Sequence, residues 1–238
     1  MSAERLDVQH LRLAGEDAGE HLCWSCQRQT PPQPFCVNCS KLQPFPAETD
    51  YFSLFGLERK LSLDQSELEA RFYELSRAFH PDFFQQRSRN EQRLSLEYAA
   101  MVNRAYRTLR DPWARAEYLI HLEQGVAADI RAEAPGALLE EVLEAQDLIE
   151  SARRGSADAG RRDELRAVRE RFAAAQEELV RQLEALFQHW DETLGAAALS
   201  DQERRQKRQA VIQGLHHGLS QRKYLANVVR DIDAVLEA

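Results

Sequence analysis

The sequence predicts an all-α protein with a small cysteine-rich module near its N-terminal end, and three observations carry that expectation. Glycine and proline are scarce, 10 and 8 in 238 residues, while Ala, Leu, Glu, Gln and Arg fill the chain. Those residues lose little on entering a helix. Apolar positions recur at spacings of three and four, as in Leu68, Phe72, Leu75 and Phe79, the period of a helix face. All four cysteines fall between positions 23 and 39.

Charge and hydropathy exclude two partner classes. With 31 basic against 39 acidic residues the net charge is −8, which argues against nucleic acid as the main partner. No apolar run approaches the roughly 18 residues of a membrane span. Residues 1–10 mix acidic and basic side chains and resemble neither a signal segment nor a transit peptide. The expected location is cytoplasmic, with the mitochondrial matrix as the alternative.

Residues 1–21 read as a tail and 22–46 as the cysteine module. Cys23-Trp-Ser-Cys26 and Cys36-Val-Asn-Cys39 each set two thiols on one side of a tight turn. Four thiolates are the soft tetrahedral set that zinc prefers, and a closed four-sulfur shell makes the metal structural. Iron fits the same cage. Two disulfides are disfavoured in a reducing compartment, and a redox dithiol needs a strand leading into a helix start, which is not visible here. His21 reads as a bystander. The module also leaves a homodimer open.

After a loop with two prolines, D50-Y-F-S-L-F-G-L57 is too apolar for a solvated turn and predicts a short helix packed inward. A second helix starts at Asp64, an N-cap with Glu67 at the capping-box spacing. Its apolar stripe is Leu68, Phe72, Leu75 and Phe79; Arg71 and Arg77 lie off it among Glu69 and Glu74. Pro81 disfavours helical geometry at His80, so the helix ends there. A loop through residues 85–89 leads to a third helix over 90–110, with Leu94, Tyr98, Met101, Ala105, Tyr106 and Leu109 on its buried side. The two long helices form an antiparallel hairpin. Asp111 caps, and Pro112 opens, a fourth helix through residue 121.

Residues 122–135 read as a linker. Three helical runs follow, over 136–153, 162–194 and 200–237, and short connections fold them into an antiparallel bundle. Ser200 and Glu203 repeat the capping-box spacing. Gly214 and Gly218 are expected to weaken or kink the last helix, and residues 204–208 to form its solvated basic side.

His80-Pro81-Asp82 sets an imidazole near a carboxylate and invites an acid–base reading. A general base needs a pocket and a triad needs a nucleophile. The cysteines are claimed by metal, and the sequence holds no GxSxG, HExxH or glycine-rich phosphate loop. The chain reads as no enzyme. A plain helix stop is the bland reading of the tripeptide.

Its flanks say more. D50-Y-F-S-L-F-G-L57, the amphipathic helix ending in H-P-D, and N103-R-A-Y-R-T-L109 resemble a J-domain over residues 50–121. The same opening, D111-P-W-A-R-A-E-Y-L119, and the helical region over 136–238 resemble the HscB family, J-type co-chaperones of iron–sulfur cluster biogenesis. The tetracysteine module resembles that of its longer members. The resemblance implies docking on a DnaK-type chaperone through His80, Pro81 and Asp82, helped by Arg71 and Arg77, with stimulation of the chaperone's ATPase. It also implies delivery of the iron–sulfur cluster scaffold protein, contacted by Leu139, Leu143, Glu144 and Tyr224. Leu139 and Leu143, four apart, equally suit a bundle core, and a one-residue slip would exchange Leu138 for Leu139. Phe83 stands where many J-domains carry lysine. A J-protein with a different client, and a zinc-dependent redox or metal-handling protein, are the alternatives.

Overall fold

A computed structural model describes residues 19–46, 49–125, 130–153, 159–195 and 200–237. They belong to two compact units, Met1–Arg115 and Ala116–Ala238. Most of the N-terminal tail, and parts of the connections before residues 130, 159 and 200, lie outside the described residues.

The first unit opens with two short strands, β1 (His21–Leu22) and β2 (Gln29–Thr30), paired antiparallel around the first cysteine turn. Two residues each are too few to show an alternating pattern, so sequence reading found no strand there. Helix α1 (Tyr51–Leu54) follows. Asp50 accepts the Ser53 N–H at 2.8 Å, and the Ser53 hydroxyl accepts the Asp50 N–H at 2.9 Å. Phe52, Leu54 and Phe55 are buried, as their density in the sequence requires. Helix α2 (Gln65–Ala78) is capped by Asp64, which accepts from Ser66 and Glu67 at 2.8 and 3.2 Å. Only half of the expected box forms, because the Glu67 carboxylate pairs with Arg71 at 2.6 Å instead.

A single 3-10 turn, Pro81–Phe84, links α2 to α3 (Arg89–Arg110). Ser88 and Glu91 build a full capping box at the start of α3, so the helix begins at Arg89, one residue before the expected start at 90. The hairpin core holds Leu68, Leu75 and Phe79 with Leu94, Tyr98, Ala105 and Leu109. Val102 is buried, whereas Met101 is half-exposed, a correction of one position in the helical register. Phe72 is half-exposed and stacks on Tyr106 at 4.1 Å.

Helix α4 (Pro112–Gln124) begins as predicted, with Asp111 accepting the Trp113 and Ala114 N–H groups at 2.9 and 2.7 Å. Arg115 is 4% exposed. It donates to the Leu61 carbonyl from Nε at 3.0 Å and Nη2 at 2.6 Å, and to the Leu109 carbonyl from Nη1. This guanidinium ties the loop before α2 to the end of α3. Arg115→Met leaves two buried carbonyls without their donor and is expected to cost roughly 3 kcal/mol in urea unfolding.

In the second unit α5 (Leu139–Arg153), α6 (Ala159–Gly195) and α7 (Asp201–Leu236) pack pairwise as a three-helix bundle. Its core includes Phe172, Leu183, Phe187 and Trp190 on α6, with Leu215, Leu219 and Ile232 on α7. Helix α7 runs through Gly214 and Gly218 without a break. The glycines serve close packing: a Cβ at Gly218 would meet Leu183 Cδ2 at 2.7 Å, and one at Gly214 would meet Leu186 Cδ1 at 3.1 Å. Of the basic run, Arg208 is half-buried, with its guanidinium 5.2 Å from the Trp190 ring centroid. That residue caps the core; it is not part of a solvated face. The segment before α5 is tied to α7, where Lys223 donates to the Ile130 carbonyl at 3.3 Å and Ser220 to that of Arg131.

No helix among the described residues is long and apolar enough to cross a membrane.

Candidate functional site

The cysteines form two matching knuckles. In the first, Gln27 N–H donates to the Cys23 carbonyl at 3.0 Å and Cys23 N–H to that of Arg28 at 2.9 Å. In the second, Ser40 donates to Cys36 at 2.8 Å and Cys36 to Lys41 at 2.9 Å. Gln27 and Ser40, each following the second cysteine of a pair, take φ of 58° and 56°, left-handed values that close a tight turn. The Ser25 N–H points at the Cys23 sulfur (3.3 Å) and the Asn38 N–H at the Cys36 sulfur (3.4 Å). Thr30 Oγ1 accepts from Val37 N–H, and the Trp24 indole donates to the Leu42 carbonyl at 2.7 Å, so each knuckle holds the other.

The four sulfurs lie within 4.8 Å of one another. A regular tetrahedron with metal–sulfur bonds of about 2.3 Å has sulfur–sulfur edges of about 3.8 Å. Cys23–Cys39 measures 3.7 Å and Cys26–Cys36 3.8 Å. Burial raises the Cys36 thiol, but N–H groups of Asn38 and Cys39 outweigh it and bring it down to about 6. Cys23 is also lowered: burial opposes ionisation, and the Cys26 and Ser25 N–H groups prevail. Cys39 is pushed up to about 12, first by burial and then, against the Lys41 N–H, by the neighbouring sulfurs. Adjacent thiolates repel, so these four sulfurs ionise together only around a cation. The donor set fits a divalent metal. His21 lies in β1 and is not part of the cluster.

The H-P-D turn is the second feature. His80 is extended (φ −61°, ψ 127°), as a residue before proline must be. Its Nδ1 accepts the Asp82 N–H at 3.3 Å. Asp82 Oδ1 accepts from Gln85 Nε2 at 3.3 Å. Phe84 is buried and anchors the turn, while the side chains of His80 and Asp82 are 54% and 70% exposed. Phe83 is exposed beside them, edge-on to the imidazole. The turn displays polar groups outward and presents no nucleophile.

The two arginines of α2 differ. Arg77 is exposed, with no ion pair among the described residues. Arg71 turns toward the loop after α1, donating from Nη1 to the Phe55 and Gly56 carbonyls at 2.7 and 3.0 Å. Gly56 is required there on two counts: its φ is +61°, and a Cβ would sit 2.9 Å from that guanidinium.

On α5, Leu139 and Leu143 are 54% and 55% exposed, whereas Leu138 is half-buried. Val142, Ala145 and Ile149 supply the core face. Glu144 pairs with Arg171 at 3.0 Å. Tyr224 is half-buried on α7, which packs against α5.

No family model matches the chain. Curated relatives do. It is 31% identical over 193 residues to the mouse iron–sulfur cluster co-chaperone protein HscB, covering 76% of this chain and 78% of that protein. Over 115 residues it is 38% identical to human HscB, covering 46% and 49%. The Arabidopsis thaliana HscB homolog is 32% identical over 130 residues, covering 55% and 51%, so the chain matches about half the length of these last two. The crystal structure of human HscB superposes with a TM-score of 0.60 over 89% of this chain and 96% of that one, at 24% identity, which supports the fold. Vibrio cholerae HscB gives 0.52 at 28% identity, covering 79% and 98%. At 31% identity and 78% coverage of the mouse protein, the chain belongs to the HscB family of iron–sulfur cluster co-chaperones.

Proposed function

We propose that this protein docks on a DnaK-type chaperone through the H-P-D turn, stimulates its ATP hydrolysis, and brings to it the scaffold protein on which an iron–sulfur cluster is built. The observation that carries this reading is the outward display of His80 and Asp82 on a turn whose neighbour Phe84 is buried. An exposed carboxylate whose internal partners, Gln85 at 3.3 Å and the His80 ring at 3.5 Å, are both weak is available to a partner arginine, a charge-assisted contact of roughly 1.5–3 kcal/mol. Arg77 adds an exposed cation on the same approach, and Arg71 keeps the loop after α1 in place. Mixing the protein with a chaperone and ATP tests it: an unchanged hydrolysis rate removes the reading.

The second unit supplies the scaffold contact through Leu139, Leu143 and Glu144 on α5, with Tyr224 on α7. Two exposed leucines four apart on one helix are the arrangement of an apolar docking stripe. Their exposure separates them from the core residues Val142 and Ala145. Leu143→Ala is expected to weaken scaffold binding about tenfold, measured by calorimetry, with little change in melting temperature.

The cage holds one zinc ion. Its four cysteines complete the shell, so the metal cross-links the two knuckles and leaves no coordination position for a reactant.

A further inference from the structure

The second cysteine knuckle reaches both helices that the H-P-D turn connects. Phe35, immediately before Cys36, stacks on Phe79, immediately before His80, with centroids 6.0 Å apart and planes at 14°. Phe79 is fully buried, lies 4.3 Å from the Tyr98 ring, and its carbonyl accepts the Ser95 hydroxyl at 2.8 Å. Phe45 also stacks on Tyr98, with ring centroids 3.8 Å apart. On the far flank of the turn, Lys41 places Nζ 2.8 Å from the Glu91 carboxylate. Glu91 is buried, and the same oxygen accepts from Ser88 Oγ at 2.8 Å, closing the cap from which α3 starts. Lys41 is itself part of the knuckle, since its carbonyl accepts the Cys36 N–H.

The turn holds itself weakly. Its internal side-chain contacts are two hydrogen bonds of 3.3 Å and the His80 Nδ1–Asp82 Oδ2 approach at 3.5 Å, all exposed, and exposed contacts of that length contribute little. Buried Phe84 anchors its middle, and Gln92 Nε2 donates to the Gln85 and Arg87 carbonyls at 2.9 and 3.0 Å; the two end anchors are Phe79, where the chain enters, and Ser88–Glu91, where it leaves. Both anchor points touch the knuckle.

We infer that the second knuckle braces the H-P-D turn, with Phe35 and Lys41 as positioning residues for the chaperone contact. Metal held by Cys36 and Cys39 fixes the backbone that carries Phe35 and Lys41, and those side chains fix the two ends of the turn. The metal module thereby sets how well the turn is preorganised for its partner. This rests on the reading of H-P-D as the chaperone contact and adds a role for the metal in it.

The test uses the full chain with Lys41→Met, Lys41→Arg and Phe35→Leu, each checked for one bound metal. Amide hydrogen exchange at Asp82–Gln85 is read beside the chaperone ATPase titration. Lys41→Met and Phe35→Leu are expected to speed exchange at those amides about fivefold or more, with the α2 and α3 interiors still protected. The half-maximal concentration for stimulation should rise about three- to tenfold with the maximal rate kept. Lys41→Arg should restore both, and chelating the metal from the parent chain should reproduce the faster exchange. Unchanged exchange at Asp82–Gln85 in Lys41→Met and in the metal-free chain overturns the brace. So does loss of protection spread evenly over the hairpin, which makes the knuckle a general stabiliser. If the parent chain fails to stimulate any chaperone, the functional reading falls and the exchange data alone decide the brace.

Discussion

Asp82→Asn should leave the fold untouched and remove most of the chaperone stimulation. The side chain is 70% exposed, and its hydrogen bond from Gln85 is one that an asparagine oxygen still accepts. Melting should stay within about 0.5 kcal/mol of the parent, as for other surface changes. The asparagine keeps the shape and loses the charge. A charge-assisted contact of about 1.5–3 kcal/mol then disappears from the docked complex, which converts to a roughly ten- to hundredfold loss in effective stimulation. A titration of chaperone ATPase rate against co-chaperone concentration reads this directly. Equal curves for parent and variant would mean that the carboxylate is not the contact.

Loss of the metal should have the largest effect on stability, and that effect belongs to the first unit. Cys36→Ser removes a candidate ligand that is 2% exposed and whose thiol is lowered to about 6. Structural zinc contributes about 10–16 kcal/mol to the folding of small zinc peptides. Here the module also packs on the hairpin through Phe35, Phe45 and Lys41, so part of the loss reaches α2 and α3. The expectation is a fall from one metal per chain to near none, with the melting transition of the first unit lowered by about 10 °C or more. Elemental analysis with calorimetry checks both. Iron in place of zinc would overturn the metal assignment, and an unshifted transition would overturn the structural role.

A smaller, pH-dependent term comes with Glu91. Burial raises its carboxyl, but the Lys41 ammonium and the Ser88 hydroxyl and N–H outweigh it and hold the group below its ordinary value. A depressed carboxylate stabilises the fold above its unfolded value and loses that contribution as pH falls through the lower folded one.

What could be read from the sequence was local. Cysteine spacing, the proline at position 81 and the caps at Asp64, Asp111 and Ser200 depend on residues a few positions apart, and their chemistry is visible in a string of letters. The Ser88–Glu91 box has the same spacing, although the expected loop runs through residue 89, past the Ser88 cap. Other features depend on what comes near in space. Arg71 looked like a solvent-facing cation until the Phe55 and Gly56 carbonyls met it. Gly214 and Gly218 looked like weak points because nothing in their own helix reports Leu183 and Leu186 across the interface. Arg208 passed as part of a solvated basic side although it covers Trp190, and no local pattern marks Arg115 as buried against carbonyls. Leu139 and Leu143 were ambiguous for a related reason: core and docking stripes share one period, and only packing shows which face is covered.

The central claim is that this chain couples a cluster scaffold to a chaperone's ATPase. The most direct measurement is the chaperone's hydrolysis rate with the parent protein alone, with scaffold alone, and with both, set beside Asp82→Asn. The account predicts stimulation by the parent alone, a further rise when scaffold is added, and neither with Asp82→Asn. A rate that rises with scaffold regardless of this protein, or an Asp82→Asn variant as active as its parent, would contradict it.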